Sequence, residues 1–268
     1  MKEDAIVRFK RLHYLSRRIM EAVLPEAILR RVDAEHYGII EFMKEASRMV
    51  MPSDRVLDMA AGKCPYKKYF EHAKYESCDI NPSHGQEHTH PAYVCSMDNV
   101  PRQDSSYDAV ICTQALHYLR YPQKGIDEIF RVLKPGGKLF LTAAQGWGLT
   151  GSPHYFNFTS LGLKAIFEDA GFKIMFIRPR GGMFWYIGNR FRILSQHVWS
   201  VQTSLVKMVW LPIYIVAFPI LEYALPLLCF YLDRLDRRPN FTLGYACFCI
   251  KPERNTLGYD KLIPKLMR

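Results

Sequence analysis

Short apolar runs alternate with helical patterns from about residue 54 onward. Buried β-strands of four to eight residues are typically such runs, bounded by turn residues. The runs predict seven strands, at 55–60, 75–80, 92–96, 107–113, 138–145, 173–178 and 241–250. Helical spacing between them predicts helices at 65–73, 121–133 and 159–170. Strands that alternate with helices are typical of an α/β fold with a largely parallel sheet.

Two segments fall outside this alternation. Residues 4–50 predict two helices joined near Pro25. Residues 181–240 are aromatic and basic at first and then strongly apolar over 208–232, where Glu222 is the one charged residue. The pattern therefore divides the chain into N-terminal helices (1–50), a core (51–180 with 241–252), a hydrophobic helical insertion (181–240) and a C-terminal tail (253–268).

The positive charge is concentrated in two stretches. The 268 residues carry 36 Lys and Arg against 26 Asp and Glu, a net charge of +10. Residues 5–20 hold five cations and no acid, and residues 170–221 hold six cations and no acid. The remaining residues therefore sum to −1. Such segregation predicts an anionic surface as a partner.

Cysteine and histidine spacing argues against a metal site. The seven cysteines are scattered and form no C-x-x-C pair, which favours a reducing compartment without a disulfide framework. His84, Glu87, His88 and His90 are close in sequence, but they lie in a segment that is expected to be a solvated loop. No basic stripe interleaved with aromatic residues marks the core, so nucleic acid is not the expected partner either.

The segment 56–66 carries the strongest chemical signal. A buried strand, Val-Leu-Asp-Met, runs into the small-residue loop Ala60-Ala61-Gly62. Small residues allow the backbone to approach a ligand closely, and a following helix would offer free N–H groups. Asp79 stands at the end of the next predicted strand, where an acid can accept hydrogen bonds from both ribose hydroxyls. The segment on its own also fits an ordinary strand–helix turn.

Four motifs in order carry a family resemblance. They are VLDMAAG at 56–62, CDI at 78–80, MDNVPRQDSSYDAVICTQALHYL at 97–119 and IFRVLKPGGKLFLT at 129–142. The chain resembles the class I S-adenosylmethionine-dependent methyltransferases of the methyltransferase-11-like group, over about 54–180 and the final strand. It also resembles those encoded with surface-polysaccharide genes. The resemblance implies a Rossmann-like seven-stranded sheet, mostly parallel with an antiparallel last strand, and S-adenosylmethionine as cofactor.

The resemblance also implies roles for individual residues. The loop with Asp58, Ala60 and Gly62 would wrap the methionine moiety, and Asp79 would hold the ribose. Around the adenine and the sulfonium it assigns Ile80, Met97, Asp98, Thr113 and Gln114. Three positions depart from the family's pattern: its first loop glycine is Ala60 here, its third loop position is Cys64, and an acid that it has near the adenine is Ser96 here.

His154 is the best candidate for a general base. It follows the fifth strand, near the expected mouth for the acceptor, and a hydroxyl nucleophile needs a proton acceptor. The alternative is a packing or capping histidine ahead of a helix that begins near Thr159. For His117 and Tyr118, helix packing is the favoured interpretation.

The apolar run 208–232 reaches the length of a membrane span. A single crossing conflicts with the flanking strands, which should pair in one sheet, and prolines at 212, 219 and 226 would kink a helix. A shallow interfacial segment fits better, with the basic stretch 5–20 as a second signal for an anionic membrane. The alternatives are a protein-covered lid or a dimer interface, and the oligomeric state stays open.

The function expected from all these features is methylation of a hydroxyl on a lipid-linked sugar or other amphiphile. The enzyme would act in the cytoplasm, at the inner face of the cytoplasmic membrane. Two alternatives remain. One is a soluble methyltransferase of a small hydrophobic metabolite, quinone-like or polyketide-like. The other is a catalytically inactive, membrane-associated scaffold that binds S-adenosylmethionine.

Overall fold

The computed structural model describes residues 18–20, 22–80, 92–146, 154–200, 216–237 and 239–253, with the backbone alone at 196–200. The chain divides into two compact units. The helical unit is Met1–Gly38 with Gly181–Leu243, and the sheet unit is Ile39–Arg180 with Gly244–Arg268. The predicted basic helix over 5–20 lies almost wholly outside the described residues.

The sheet unit is built on one seven-stranded sheet. Its strands are β1 (Arg55–Met59), β2 (Lys74–Asp79), β3 (Tyr93–Val94), β4 (Tyr107–Thr113), β5 (Leu133–Ala144), β6 (Lys173–Pro179) and β7 (Gly244–Ile250). Their order is β3-β2-β1-β4-β5-β7-β6. The strands β3, β2, β1, β4 and β5 pair in parallel, and β7 is antiparallel to both β5 and β6. This confirms the predicted Rossmann-like sheet with an antiparallel last strand.

Alternate residues of the central strands fill two cores, one on each face of the sheet. In β4, Val110 and Cys112 belong to one core, and Ala109 and Ile111 to the other. The helices of the sheet unit are α2 (Ala34–Arg48), which begins in the helical unit, α3 (Pro122–Val132) and α4 (Ser160–Asp169). The predicted helices at 121–133 and 159–170 are thus confirmed, and the Thr159 side chain caps α4 by accepting from the N–H of Gly162.

The predicted helix at 65–73 is wrong. The chain forms one 3₁₀ turn there, Lys67–Tyr69. The fully buried ring of Phe70 fixes the chain against the core, and β2 begins only four residues later, so an α-helix has no room. Strand β5 begins at Leu133, five residues before the predicted strand, and its pairing with β4 is irregular near its start, where Gly136 takes a φ of 77°.

The helical unit contains α1 (Glu26–Val32), α5 (Met183–Ser200) and α6 (Val216–Leu235), besides the start of α2. The predicted helix after Pro25 is interrupted at Asp33, which ends α1. Carboxylate oxygens of Asp233 accept hydrogen bonds from the N–H groups of Gly182 and Trp185, at 2.9 and 3.0 Å, and so cap the start of α5.

Helix α6 carries a buried charge. Glu222 is 1% exposed, accepts a hydrogen bond from the Ser195 hydroxyl at 2.6 Å and pairs with Arg192 at 3.6 Å. It lies in a π-helical turn, Ile220–Ala224, that follows Pro219. The helix nevertheless continues through this turn to Leu235. In the part of the chain that is described, α6 is the one helix long and apolar enough to span a membrane.

Candidate functional site

The predicted cofactor residues lie together at one edge of the sheet. Asp58 and Ala60 are at the carboxyl end of β1, Asp79 is at the end of β2, and Thr113 is at the end of β4. These strands are neighbours in the sheet. The order reverses between β1 and β4, and ligands of open α/β sheets bind in the crevice at such a switch point.

The loop after β1 has an unusual backbone. Ala60, Gly62 and Cys64 have φ angles of 58°, 52° and 51°, in the left-handed region. The N–H of Ala61 donates to the carbonyl of Cys78 at 3.0 Å, and the N–H of Cys64 to that of Ala61 at 2.8 Å. Left-handed backbone is costly for alanine and cysteine, so the surrounding contacts must hold this loop in its shape.

Asp79 fixes the loop from the neighbouring strand. The N–H of Gly62 donates to Oδ2 of Asp79 at 2.8 Å. Ile80, the next residue, is 72% exposed although it is apolar. An exposed isoleucine beside an acid at a strand end offers an apolar surface for a flat ring and a carboxylate for hydroxyl groups.

Asp58 is fully buried at the end of β1. Burial raises the pKa of its carboxyl group to about 7, although the hydrogen bond from Tyr75 works in the other direction and the charge of Asp79 adds to the increase. Its Oδ1 atom is buried without a hydrogen-bond partner among the described residues. A buried carboxylate oxygen of this kind is costly unless a ligand or solvent satisfies it.

The segment after β3 places two predicted residues differently. Met97 is 5% exposed, and its Sδ is 3.6 Å from Sγ of Cys112 on β4. Asp98 is exposed and accepts a hydrogen bond from the Ser96 hydroxyl. The family has an acid at position 96. This chain has Ser96 there, and its hydroxyl donates a hydrogen bond to Asp98.

Polar side-chain atoms at the ends of β4 and β5 lack partners. The N–H of Gln114, a residue with a φ of 51°, donates to Oγ1 of Thr142 at 3.2 Å. Both amide atoms of the Gln114 side chain are buried without a hydrogen-bond partner in the described ranges, and so is Oε1 of Gln145. Buried amides are nearly always satisfied, so this edge holds donors and acceptors available to a ligand.

His154 packs against a second histidine. Its ring centroid is 4.5 Å from that of His117, which is fully buried. The N–H of Tyr155 donates to the carbonyl of His117 at 2.9 Å and fixes this arrangement. Burial and the adjacent His154 lower the pKa of His117 to about 4. Both ring nitrogens of His154 are buried without a hydrogen-bond partner among the described residues.

Sequence reasoning missed several residues of this edge. Tyr75 holds Asp58, Gln145 adds an unsatisfied acceptor, and His117 contacts His154. Tyr155 and Phe156, directly after His154, are 51% and 39% exposed. For Tyr155 and Phe156, the early signal was their position after the fifth predicted strand, next to His154.

The histidine-rich segment, His84 to His90, lies outside the described residues. Within the described ranges, no group of three His, Cys, Asp or Glu side chains is arranged to hold a metal ion.

Comparison with known proteins agrees with this geometry. Residues 57–141 match the family described as Methyltransferase domain. A demethylmenaquinone methyltransferase of Clavibacter sepedonicus is 44% identical over 43 residues, which are 16% of this chain and 18% of that relative. A thiol S-methyltransferase of Rattus norvegicus is 54% identical over 37 residues, 14% of this chain and 15% of that relative. The matches thus cover less than one fifth of these curated relatives.

A solved structure has the same fold. It is a chain from the complex between the Trm112 methyltransferase activator of Haloferax volcanii and its methyltransferase. The TM-score is 0.52 at 15% identity, over 86% of this chain and 99% of that one. Fold and site together define a Rossmann-like domain for a nucleoside-containing cofactor. The family match makes residues 57–141 of this fold similar to a methyltransferase domain, the class whose usual cofactor is S-adenosylmethionine.

The residues present fit S-adenosylmethionine. The Asp79 carboxylate suits the ribose hydroxyls, and the exposed Ile80 suits the adenine face. The unsatisfied atoms of Asp58 and Gln114 provide an acceptor and an amide for the polar methionine end. The left-handed loop at 60–64 allows its backbone to approach a ligand closely.

Proposed function

We propose that this protein is a methyltransferase that methylates a hydroxyl group of a lipid-linked sugar or other amphiphile at a membrane surface. The unsatisfied polar atoms at the carboxyl edge of the sheet support a site for both cofactor and acceptor. The preference for an amphiphilic acceptor is carried by a separate observation in the helical unit.

That observation is an exposed apolar stripe along α6. Its large members are Val216, Ile220, Leu228, Tyr231 and Leu235, between 46% and 68% exposed. Their spacing of three, four or eight residues puts them on one side of the helix. Only 28% of the most apolar part of α6 is buried in the protein. Contiguous exposed apolar surface of this kind marks contact with an apolar partner, and the flanking aromatic and basic residues favour a membrane surface.

The opposite side of α6 belongs to the interior of the helical unit. Phe218 is 5% exposed, and its ring centroid is 6.0 Å from that of Tyr223. Glu222 is buried on that side as well. Since one face is packed and the other is exposed, the proposed orientation is interfacial, with the helix lying along the surface.

The bound cofactor supplies an electrophilic methyl group on its sulfonium. His154 would take the proton from the acceptor hydroxyl as the oxygen–carbon bond forms and the methyl carbon–sulfur bond breaks, which leaves the cofactor as a neutral thioether. Neither ring nitrogen of His154 is engaged by a described residue. His117 is uncharged near neutral pH because its pKa is low. It therefore places no positive charge beside the proposed base, His154. The exposed rings of Tyr155 and Phe156 border the position for the acceptor.

The methyl-transfer experiment described below can also support either of two other functions. The relative from Clavibacter sepedonicus is named for a demethylmenaquinone substrate, which supports a small hydrophobic metabolite as the second choice. A cofactor-binding scaffold without catalysis is the third.

The test is methyl transfer from labelled S-adenosylmethionine into either membrane lipid extract or soluble metabolite extract. We expect label in the lipid fraction, and His154→Ala should lower its rate by roughly 10²–10⁴ with cofactor affinity unchanged. His36→Ala, an exposed histidine of the helical unit, is the control. Label in the soluble fraction alone would support the metabolite enzyme. Cofactor binding without any label would support the scaffold.

A further inference from the structure

A second cavity of the sheet unit lies at the amino ends of β1 and β4, away from the carboxyl edge that holds the candidate cofactor site. Arg55 is the first residue of β1, and Ser106 directly precedes β4. The cavity has a volume of about 530 Å³. Two arginines, two neutral polar residues and two apolar residues line it: Arg55, Arg102, Gln103, Ser106, Val100 and Pro101. The described lining contains no acid, so its charged groups are both positive.

Both arginines are held in place by residues outside the lining. Cζ of Arg102 lies 3.8 Å from the centroid of the Tyr93 ring, and Cζ of Arg55 lies 5.1 Å from that of Tyr107. Nη2 of Arg55 donates to Oε1 of Glu76 at 2.8 Å. The side chains nevertheless remain 38% exposed for Arg55 and 32% exposed for Arg102. They are therefore fixed before a ligand arrives and still accessible to it, which lowers the cost of binding.

Glu76 compensates only one of the two positive charges. Its Oε2 accepts hydrogen bonds from the hydroxyls of Tyr93 and Tyr107, at 2.6 and 2.8 Å. Its ion pair with Arg55 is close, at 2.8 Å, whereas Nη2 of Arg102 is 3.7 Å away. Arg102 is thus the less compensated of the two arginines, and one positive charge is in excess at the cavity wall.

The acids farther from the lining are paired with two other cations. Lys134 pairs with Asp108 at 2.7 Å. Arg131 pairs with both Asp104 and Glu128, each at 2.7 Å. Over the whole neighbourhood the charges therefore nearly cancel, and the positive excess is confined to the cavity wall. An anion would gain from direct contact with the arginines and little from long-range attraction, which salt screens.

A phosphate ester fits this wall better than a carboxylate does. Its phosphate group has three free oxygens in a tetrahedral arrangement, so it can bind two guanidinium groups at once, whereas one guanidinium can satisfy both oxygens of a carboxylate. The volume of about 530 Å³ lies within the range of small-molecule sites, about 300–1,000 Å³, and leaves room for an organic part. Val100 and Pro101 offer that part an apolar contact.

We propose that this cavity binds a small phosphorylated molecule, with the phosphate group held by Arg55 and Arg102 and the organic part against Val100 and Pro101. The ligand can be a phosphate ester or free phosphate, since both present the same oxygens to the arginines. The cavity and the candidate cofactor site lie at opposite ends of the same strands. The proposal thus goes beyond the proposed methyl transfer and does not depend on it.

The test measures binding by titration calorimetry without S-adenosylmethionine, in phosphate-free buffer at constant ionic strength. The probes are phenyl phosphate, inorganic phosphate and benzoate, and we expect phenyl phosphate to bind most tightly and benzoate least. Arg102→Gln should weaken binding of phenyl phosphate about tenfold, because it removes a hydrogen bond between charged groups. Arg120→Gln is the matched control, since Arg120 also lies over a tyrosine of the sheet unit, Tyr121, at 5.7 Å. It should bind like the wild type.

Glu76→Gln should have the opposite effect. It keeps a side-chain oxygen for the two tyrosine hydroxyls but removes the negative charge beside the arginines, so phosphate should bind severalfold more tightly. Circular dichroism and thermal melting confirm that each variant is folded. Weaker binding by Arg102→Gln or tighter binding by Glu76→Gln supports the site.

The probes distinguish the two sources of phosphate. Tighter binding of phenyl phosphate supports an ester as the ligand, and equal binding of inorganic phosphate supports the site with free phosphate. The proposal is overturned if the wild type binds no phosphate, or if Arg102→Gln and Glu76→Gln both bind like the wild type. An equal loss in Arg120→Gln, or benzoate bound as tightly as phenyl phosphate, would overturn it as well.

Discussion

The backbone N–H of Gly62 donates a hydrogen bond to Oδ2 of Asp79 at 2.8 Å. The acid that is expected to hold the ribose therefore also fixes the loop that is expected to wrap the methionine end. One carboxylate connects the two halves of the proposed cofactor site, so changes at Asp79 should affect both.

Asp79→Ala should weaken S-adenosylmethionine binding by about 1.5–3 kcal/mol, the range for hydrogen bonds to a charged group. Asp79→Asn should weaken it less, because its side-chain oxygen can still accept from Gly62. Titration calorimetry measures both. Asp104→Ala, at a side chain that is 76% exposed, is the control. If Asp79→Ala binds S-adenosylmethionine with wild-type affinity, Asp79 does not hold the ribose.

Ala60→Gly should stabilise the protein. Ala60 has a φ of 58°, a conformation that costs an L-residue about 1–2 kcal/mol. Glycine removes this strain but loses more backbone entropy on folding, so the net gain should be about 0.5–1 kcal/mol. Ala61→Gly is the control at a neighbour with ordinary backbone, and it should lower stability. Thermal melting measures the stability of both variants. A lower melting temperature for Ala60→Gly than for the wild type would show that the backbone of Ala60 is not strained.

Asp58 should make stability depend on pH. Its folded pKa is raised from 3.8 to about 7, so its favourable contribution is complete below about pH 4 and is lost as the pH rises through about 7. Asp58→Asn mimics the neutral acid and should therefore gain stability relative to the wild type at alkaline pH, by up to about 4 kcal/mol. Melting temperatures of both proteins at acid and alkaline pH measure this. Asp104→Asn should show no such trend, and a difference for Asp58→Asn that is constant across pH would refute the assignment.

The exposed stripe of α6 should drive membrane binding that salt does not screen. Ile220→Ser and Leu228→Ser each remove an exposed apolar side chain and should weaken binding to neutral phosphatidylcholine vesicles by about 1 kcal/mol. Flotation at low and high salt measures the effect. Leu161→Ser, at a residue 76% exposed in the sheet unit, should float like the wild type. If the wild type itself stays unbound, the stripe is covered by protein and the acceptor is to be sought among soluble metabolites.

The sheet could be predicted because its central strands are buried on both faces. Val56, Leu57 and Ile111 are fully buried, and such strands form continuous apolar runs in the sequence. The missing helix at 65–73 could not be foreseen in the same way. Its apolar residues have helical spacing, but the buried Phe70 and the early start of β2 end it after one turn, and both depend on tertiary packing.

The site could be predicted only in part. Positions such as Asp79 and Gln114 follow strand ends, and strand ends are visible in the sequence. The contact of His117 with His154 joins residues that are far apart in the chain. The charge pattern indicated that residues 170–221 lack acids, but not that Arg192 would pair with the buried Glu222.

The N–H of Arg180 donates to the carbonyl of Gly244 at 2.8 Å, directly after β6 and before β7. Those two strands are antiparallel neighbours, so the 63 residues of Gly181–Leu243 stand where a short hairpin turn would suffice. Closing so long a loop costs only about 3 kcal/mol more than closing a two-residue one. The sheet can therefore accept inserted segments of very different length at this point without any change to the order and pairing of its strands.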